Sequence, residues 1–486
     1  MRLEWDLVAL ALASTEDPSR GLHVAFSIDK SRRRNAMPFS GDSQNADKQG
    51  ESSSSSRPPS RLRLAMRSLR HRNFRLFFGG QLISLIGTWM QNIAQAWLVY
   101  RLTGSSLLLG TVGFASQIPV FLLAPLGGTM ADRRNRHRVV IATQSASMVL
   151  AFILAALTLS RAVQVWHIMV LAALLGVVNA FDIPARQAFI VEMVGREDLM
   201  NAIALNSSMF NGARIIGPAI AGVLVASIGE GWCFFANGVS YVAVIAGLLL
   251  MQGDFVRRAL ESSPLEHIIE GFQFVRRTLP IRDLLLLLGL VSLVGMPYSV
   301  LMPIFADKIL HSGARGLGIL MGATGVGALI GALMLAAKSG IRGLGTWVAV
   351  STAAFGVTLI AFSWLHSLWL ATLVLVPVGL AMMVQMAASN TLIQAMVPDE
   401  LRGRVMAVYS MMFMGMAPLG ALFAGVLADR LGAPLTVSIG AVACVAGAAV
   451  FWRRLPALRV EARQLIIAQA AGGGEPAEQA TARSIS

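Results

Sequence analysis

Charge and cysteine are both scarce in this sequence. Charged residues make up 14% of its 486 positions and hydrophobic residues 55%, whereas soluble globular proteins carry about 25% charge. Together with a mean hydropathy of +0.64, this composition excludes most classes of soluble enzyme. The two cysteines, Cys233 and Cys444, lie in different apolar stretches, so they predict neither a disulfide framework nor a metal site. The sequence contains no Walker-type glycine–lysine loop, and we expect no enzymatic activity and no cofactor.

Long apolar runs take the place of charge. A helix of about 20 apolar residues crosses the roughly 30 Å hydrocarbon core of a bilayer and satisfies its own backbone hydrogen bonds there. Twelve such stretches predict an all-α polytopic membrane protein. Their approximate bounds are Leu76–Tyr100, Leu107–Met130, Val139–Leu159, Val165–Phe181, Met200–Ile228, Trp232–Met251, Leu284–Phe305, Leu317–Ala337, Thr346–Leu365, Leu368–Thr391, Val405–Leu427 and Leu435–Trp452.

Basic residues are distributed unevenly between the loops. Nearly all loop Arg and Lys residues lie in alternate loops, and the remaining loops contain only Arg101, Arg161, Lys308, Arg315 and Arg430. Because basic loops stay in the cytoplasm, we predict an inner-membrane protein with both termini and the central connection cytoplasmic. The net charge of +14 is then a topology signal and a contact with anionic lipid, and no nucleic-acid partner is expected.

The segments outside the spans divide the chain. Residues 1–66, with the polar run Ser52–Ser56, predict a disordered cytoplasmic arm; an alternative is that translation starts at Met37 or Met66. Residues 67–252 and 283–456 each hold six spans, and 457–486 are expected to be a disordered cytoplasmic tail. In the linker, 253–282, a capping box at Ser263–Glu266 predicts an amphipathic helix on the membrane surface.

The two halves resemble each other. Laying Ile190–Gly229 over Ile393–Gly432 pairs Gly217 with Gly420 and Gly222 with Gly425. Six spans in each half make the repeat parallel, which predicts two pseudo-symmetric six-helix bundles with a binding site between them near mid-membrane. Glycines of the eighth span predict close helix packing there: Gly318, Gly322, Gly327 and Gly331.

Several motifs resemble those of the major facilitator superfamily. The string Gly128–Arg138 resembles the signature loop between its second and third helices, with Asn135 where a glycine is usual; a polybasic topology anchor is the alternative. Further strings resemble the branch that contains the enterobactin exporter and macrolide efflux proteins: Ser68–Arg75, Gly87–Gln91, Trp97–Tyr100, Leu102–Ser106, Phe181–Gln187 and Pro398–Val405.

This resemblance implies a cytoplasmic gate. Asp132 would face the start of the eleventh helix near Arg402 and Arg404, and Arg133 would pair with Asp182. Gly128 would allow a close helix approach, and Arg136 would lie in the headgroup layer. These interactions would hold the cytoplasmic side closed while the cavity faces outward.

The fifth span resembles the antiporter motif of the superfamily. It contains Gly212, Gly217, Pro218 and Gly222, and ordinary packing of small residues is the alternative interpretation. The motif favours export over uptake. The superfamily also has an arginine inside the fourth helix that is linked to proton coupling, and Leu171–Ala180 contains none, which leaves the driving ion open.

Polar side chains inside the spans are candidate substrate contacts. Arg214 costs about 3 kcal/mol in a membrane, which predicts an anchor for an anionic or polyhydroxylated substrate; snorkelling, or pairing with a backbone carbonyl, is the alternative. Gln91, Asn92 and Gln95 form a stripe that lines the pathway or makes interhelical hydrogen bonds. In the tenth span, Gln385 and Asn390 lie among methionines that contact cargo or fill the core.

These observations together predict a secondary active transporter. It would act as a monomer and export a drug, siderophore or secondary metabolite by rocking its two bundles, with protons as the counter-ion. An uptake carrier of the same fold and a transport-inactive membrane sensor or scaffold are the alternatives.

Overall fold

Twelve long helices make up most of the computed structural model. It describes residues 66–195, 197–252, 264–338 and 340–472, and these contain no strand. The first bundle has α1 (Arg72–Thr103), α2 (Ser106–Arg133), α3 (Arg136–Leu159), α4 (Val165–Val194), α5 (Leu199–Ile228) and α6 (Glu230–Leu249). The second has α7 (Leu279–Ile309), α8 (Gly313–Ala336), α9 (Leu344–Ser363), α10 (Leu368–Met396), α11 (Asp399–Leu431) and α12 (Ala433–Gly472).

Eleven of these helices, all except α1, are long and apolar enough to cross a membrane. α1 has 32 residues and is more polar, and it packs between α5 and α6. The predicted all-α, multi-pass class is therefore confirmed. We call the end of the bundles where α2 ends and α3 begins the basic end, because Arg133 and Arg138 lie there, and the other the opposite end.

Local signals at the loops define several helix ends. The Ser105 hydroxyl accepts a hydrogen bond from the Leu108 N–H at the start of α2, and the Asn135 side chain accepts one from the Arg138 N–H at the start of α3. α5 and α11 end at Gly229 and Gly432, whose φ angles are +89° and +83°. These two glycines occupy equivalent positions in the predicted repeat, and a side chain is strained in that conformation.

The packing of α5 and α11 agrees with the repeat. A Cβ atom added to Gly217 of α5 would lie 2.9 Å from the Ile86 carbonyl oxygen of α1. A Cβ atom added to Gly420 of α11 would lie 2.9 Å from Pro297 Cγ of α7. Each glycine thus packs against the first helix of its own bundle, as the alignment of the two halves predicts.

Two helices of the second bundle are irregular. α7 has π-helical turns at Val291–Gly295 and Phe305–Ile309, with a 3₁₀ turn, Met296–Ser299, between them. Pro297 and Pro303 lie in this stretch, and proline removes a backbone donor from the helix. α11 is interrupted at Gly415. Irregular turns of this kind are frequent at functional sites.

A helix in the central connection packs on the second bundle. This linker helix is Pro264–Arg277, as the capping box predicted. Val275 is buried against α7, and the Glu270 carboxylate pairs with Arg404 of α11. Ile269 and Phe272 are each 57% exposed, so part of the predicted apolar face is free to contact lipid.

The prediction of a disordered tail from residue 457 is wrong for its first part. α12 continues without interruption to Gly472, and Leu458 is buried against the second bundle. The apolar residues of this segment continue the helical pattern beyond the membrane span, which the span-based boundary ignored. Residues 473–486 and the predicted arm before Met66 lie outside the described residues.

Candidate transport site

The two bundles meet in backbone contact along two seams at the opposite end. A Cβ atom on Gly318 of α8 would lie 2.7 Å from the Pro218 carbonyl oxygen and 2.8 Å from the Cα of Gly222, both in α5. A Cβ atom on Gly425 of α11 would lie 2.9 Å from the Cα of Gly110 in α2. Only glycine leaves room for helices to approach this closely. The opposite end is therefore closed.

The predicted fifth-helix motif contributes unequally to this closure. Gly222 forms the seam with α8, while Gly217 and the buried Pro218 lie where α5 packs on α1 and α8. Gly212 has no atom within 4 Å of an added Cβ, so it makes no close approach in this structure. Small-residue packing thus accounts for Gly217 and Gly222, and it does not account for Gly212.

A polar contact joins the bundles beside the seams. The Tyr100 hydroxyl of α1 donates a hydrogen bond to Asp307 Oδ2 of α7 at 3.0 Å. The Lys308 ammonium lies 6.0 Å from the centre of the Tyr100 ring. Hydrogen bonds to charged groups are stronger than neutral ones, so this contact adds to the closure of the opposite end.

The basic end is open between the bundles. Gly128 lies 18 residues after Gly110, which is about five helical turns, so both glycines are on one face of α2. Gly110 contacts α11, whereas a Cβ on Gly128 would meet nothing within 4 Å. Ala204 lies 18 residues before Gly222, so it is on the face of α5 that forms the seam, and it is exposed. The cavity between the bundles therefore opens at the basic end.

Arg214 lies at the middle of α5, near the inner end of this cavity. Its guanidinium carbon is 5.8 Å from the centre of the Trp89 ring, and its Nη2 donates to the Met382 sulfur of α10 at 3.9 Å. Trp89 also packs edge-on against Phe210. Arg214 therefore spans the interface between the bundles, with an aromatic ring on one side and a soft thioether on the other.

The tenth helix presents polar atoms without partners. Gln385 is 1% exposed and Ser389 is fully buried, and neither side chain has a hydrogen-bond partner. Helical spacing places both on the same face of α10 as Met382. Asn390, the other predicted contact, accepts a hydrogen bond from Gln394 one turn later. Buried orphan polar groups are costly, which makes Gln385 and Ser389 candidates for ligand binding.

Three polar residues of α1 have different environments. Gln91 is buried and its Oε1 accepts a hydrogen bond from Asn237 Nδ2 of α6 at 2.8 Å. The expectation that Gln91 lines the pathway is therefore wrong in this structure, because the amide is used to join two helices. Asn92 is exposed and Gln95 is half-buried, so these two remain available to the cavity.

The family model for transmembrane secretion effectors matches residues 64–470. The chain belongs to this family. It is 27% identical over 380 residues to the staphyloferrin A transporter of Staphylococcus aureus, covering 77% of this chain and 94% of that protein. It is 30% identical over 390 residues to the multidrug efflux pump Tap of Mycobacterium tuberculosis, covering 78% and 92% of the two chains.

Structural comparison identifies the fold. The crystal structure of the nucleoside transporter NupG superimposes with a TM-score of 0.65 and 14% identity, covering 80% of this chain and 99% of that one. The predicted superfamily and fold are confirmed. This secretion effector is a multi-pass membrane transporter of the major facilitator type.

The predicted gate of the secretion effector is not assembled in this structure. Asp132 pairs within its own bundle with Arg136 at 3.3 Å, and Arg136 also binds Glu192 of α4 at 2.7 Å. Arg402 pairs with Asp399, one turn away on α11. With Arg404 bound to Glu270 of the linker helix, no described interaction joins Asp132 to α11.

The second predicted gate pair is also absent from the described residues. Asp182 is 3% exposed and accepts hydrogen bonds from Thr143 and Gln144 at 2.7 and 2.9 Å. Its second oxygen pairs with Arg186 at 3.3 Å, while Arg133 is exposed. Asp182 therefore has its partners on α3 and α4, and the expected pair with Arg133 is not formed in this structure.

The signature loop makes its close contact one residue earlier than expected. A Cβ atom on Gly127 would clash with the Ala180 carbonyl oxygen and lie 3.2 Å from Pro184 Cγ, both in α4. Gly128 faces open space. Gly127 therefore packs α2 on α4, and the predicted close approach at Gly128 is wrong in this structure.

Sequence reasoning did not identify two charged clusters. At the basic end, buried Asp198 binds Arg67 and Arg70 at 2.9 Å and His71 at 2.7 Å. The His71 hydrogen bond and the two arginines hold the pKa of Asp198 below its usual range. At the opposite end, Arg101 makes a two-point contact with buried Glu230, at 2.7 and 3.0 Å. Because these partners are distant in sequence, spacing could not reveal them.

Gln91→Leu should reduce stability and leave transport intact. A hydrogen bond between membrane helices contributes about 0.6 kcal/mol on average and about 1.7 at most, so we expect the free energy of unfolding to fall by about 1 kcal/mol. The thermal unfolding midpoint of the detergent-purified protein and the rate of dye efflux measure the two effects. Asn92→Leu is the matched control, with unchanged stability. Slower efflux at an unchanged midpoint in Gln91→Leu would restore Gln91 to the pathway.

Proposed function

We propose that this secretion effector exports a small molecule across the cytoplasmic membrane by alternating access. The observation that carries the proposal is the pair of glycine seams, which close one end of the molecule while the other end is open. Rocking of the two bundles about Arg214 would separate Gly222 from Gly318 and Gly110 from Gly425, and would bring the basic ends together. Both bundles belong to one chain, so we propose a monomer.

The basic end is the cytoplasmic end in this proposal. Arg133, Arg134 and Arg138 lie there, as do both ends of the described chain, and basic loops stay in the cytoplasm. The structure is then an inward-facing state, in which a substrate enters from the cytoplasm. Both termini are cytoplasmic, and a bilayer surrounds the exposed apolar side chains.

Export is favoured over uptake by two observations. Tap is a multidrug efflux pump, and this chain covers 92% of it. The glycines of α5 that resemble the antiporter motif form one of the two seams. The staphyloferrin A transporter supports a siderophore as one class of cargo, beside drugs and secondary metabolites.

Proton antiport is the proposed energy source. The buried carboxylate of Asp182 has hydroxyl and amide donors and an arginine around it, so protonation of this group would release its partners. In the superfamily that this chain resembles, an arginine of the fourth helix is linked to proton coupling, and this chain lacks it. The proposal for the counter-ion is therefore independent of the proposal for export.

Accumulation in cells tests the direction of transport. The gene is expressed in a bacterial host without its own efflux pumps, and cells are loaded with ethidium, carboxyfluorescein or radiolabelled erythromycin. We expect expression to lower the steady-state amount of at least one compound several-fold relative to empty vector. A higher amount would identify an uptake carrier. No change for any compound, in cells or in liposomes under an imposed pH gradient, would favour a sensor or scaffold.

Ionophores test the coupling separately. Nigericin removes the pH gradient and valinomycin with potassium removes the electrical potential. Proton antiport requires that efflux slow when both ionophores are present. Efflux that continues at the same rate with both gradients removed would reject proton antiport and leave export standing.

A further inference from the structure

Arg214 is a charged residue in the middle of a span. It is the sixteenth of 30 residues in α5. Asp182 is equally central, as the eighteenth of 30 residues in α4, but its carboxylate is paired with Arg186 one turn away on the same helix. The positive charge of Arg214 has no such ion-pair partner among the described residues.

The present neighbours of Arg214 do not neutralise it. Met382 offers a weakly accepting sulfur, and Trp89 offers the face of an aromatic ring. Among the described residues, no carboxylate forms an ion pair with this guanidinium. A cation at this depth is stable only beside water or a counter-charge, and the open cavity supplies water only while the basic end is open.

Unpartnered donors lie on the facing helix. The Gln385 amide and the Ser389 hydroxyl are both at least 99% buried and lack hydrogen-bond partners. They share a face of α10 with Met382, the residue that contacts Arg214. The Gln385 amide oxygen, an acceptor, is unpaired as well. The guanidinium, the amide N–H and the hydroxyl are donors that match carboxylate oxygens.

We propose that the central site selects anionic substrates. An organic carboxylate with an apolar or aromatic body would bind Arg214 through its oxygens and place its body against Trp89 and Met382. A second polar group on the substrate would reach Gln385 and Ser389, which lie about one and two turns further along α10. An organic cation would meet an uncompensated positive charge with no carboxylate to balance it. This inference rests on the proposed function, because that proposal identifies the site as the one that binds the transported molecule.

Three probes of one size and different charge test the selection. The probes are 2-naphthoate, 2-naphthamide and 2-naphthylmethylammonium, and binding to the purified full-length protein is measured by isothermal titration calorimetry. We expect 2-naphthoate to bind at least tenfold more tightly than the amide, and the ammonium to bind most weakly. Absence of a preference among the three, or a preference for the cation, overturns the proposal.

Substitutions of Arg214 test whether its charge causes the preference for 2-naphthoate. In Arg214→Gln we expect the affinity for 2-naphthoate to fall to that for 2-naphthamide, with the amide unaffected. Arg214→Lys keeps the charge and should retain part of the preference, since lysine lacks the planar fork. An unchanged preference in Arg214→Gln overturns the assignment. Equal unfolding midpoints of the three proteins confirm that each is folded.

The outcome is separable from that of the export assay. A protein that exports a cationic dye and shows no anion preference would reject the anionic class and leave export standing. A protein that binds 2-naphthoate through Arg214 and moves none of the tested compounds would reject export and leave the anion site standing.

Discussion

Replacement of Gly318 by alanine should open the opposite end and stop transport. The added Cβ would lie 2.7 Å from the Pro218 carbonyl oxygen and 2.8 Å from Gly222 Cα, and neither backbone atom is able to rotate away. Overpacking of this kind costs about 1–3 kcal/mol, which corresponds to a roughly 5- to 150-fold shift between two states. We expect transport to fall at least tenfold, because one of the two alternating states is depopulated.

Gly322→Ala is the matched control on the same helix. Its Cβ would meet only the Ile215 carbonyl oxygen, at 3.9 Å, so it should transport normally. Alanine stabilises a helix by up to about 1 kcal/mol relative to glycine. Because this gain is the same in both variants, comparing Gly318→Ala with Gly322→Ala cancels it.

Spin-label distances would report the conformational change directly. Cys233 and Cys444 are first replaced by alanine, and labels are then placed at Trp232 of the first bundle and Trp369 of the second. Both positions lie at the opposite end and are exposed. We expect the distance between them to increase in Gly318→Ala and to remain unchanged in Gly322→Ala. An unchanged distance with normal transport would show that the α5–α8 seam is not needed for closure.

Asp132→Asn should shift the balance toward the state observed here. In this structure Asp132 is bound only to its neighbour Arg136, so the substitution disturbs little in the state that is open at the basic end. In the state with the basic end closed, the carboxylate would meet the N-terminus of α11, where negative charge is favourable. Loss of that interaction removes about 1.4 kcal/mol, and we expect roughly tenfold slower transport.

Asp429→Asn is the control for this prediction. Asp429 belongs to a string on α11, Gly425–Arg430, that resembles Gly128–Arg133 in letters, but it is exposed at the opposite end. Labels at Arg138 and Arg342 report the basic end, and their distance distribution should move toward the open state in Asp132→Asn alone. Equal transport and equal distributions in the two variants would rule out a gate at Asp132.

The linker helix supplies a competitor for this gate. Arg404 was expected to face Asp132, yet it is bound to Glu270, and the linker backbone at Gly271 is close to the Arg404 carbonyl oxygen. Closing the basic end would therefore require either that Arg404 exchange partners or that Asp132 use the helix N-terminus instead. The label experiment on Asp132→Asn is sensitive to both routes.

The sequence alone was sufficient to predict the spans, the repeat and the isolated charge of Arg214. A helix that crosses lipid satisfies its own backbone hydrogen bonds and needs apolar side chains over its length, so the positions of the spans are visible in composition alone. A repeat of glycines such as Gly217 and Gly420 is visible because both copies must pack on the first helix of their bundle. Arg214 stands out because a charge in the membrane is so costly.

Only the tertiary structure determined which groups touch. Gln91 and Asn92 are adjacent and similar, but one joins α1 to α6 and the other faces open space. Asp132 and Arg404 were expected to lie close to each other, but each is bound to a nearer opposite charge, Arg136 and Glu270. The positions of the helices follow from the solvent that surrounds them, whereas these contacts follow from how the two bundles are oriented, which the pattern of apolar residues does not specify.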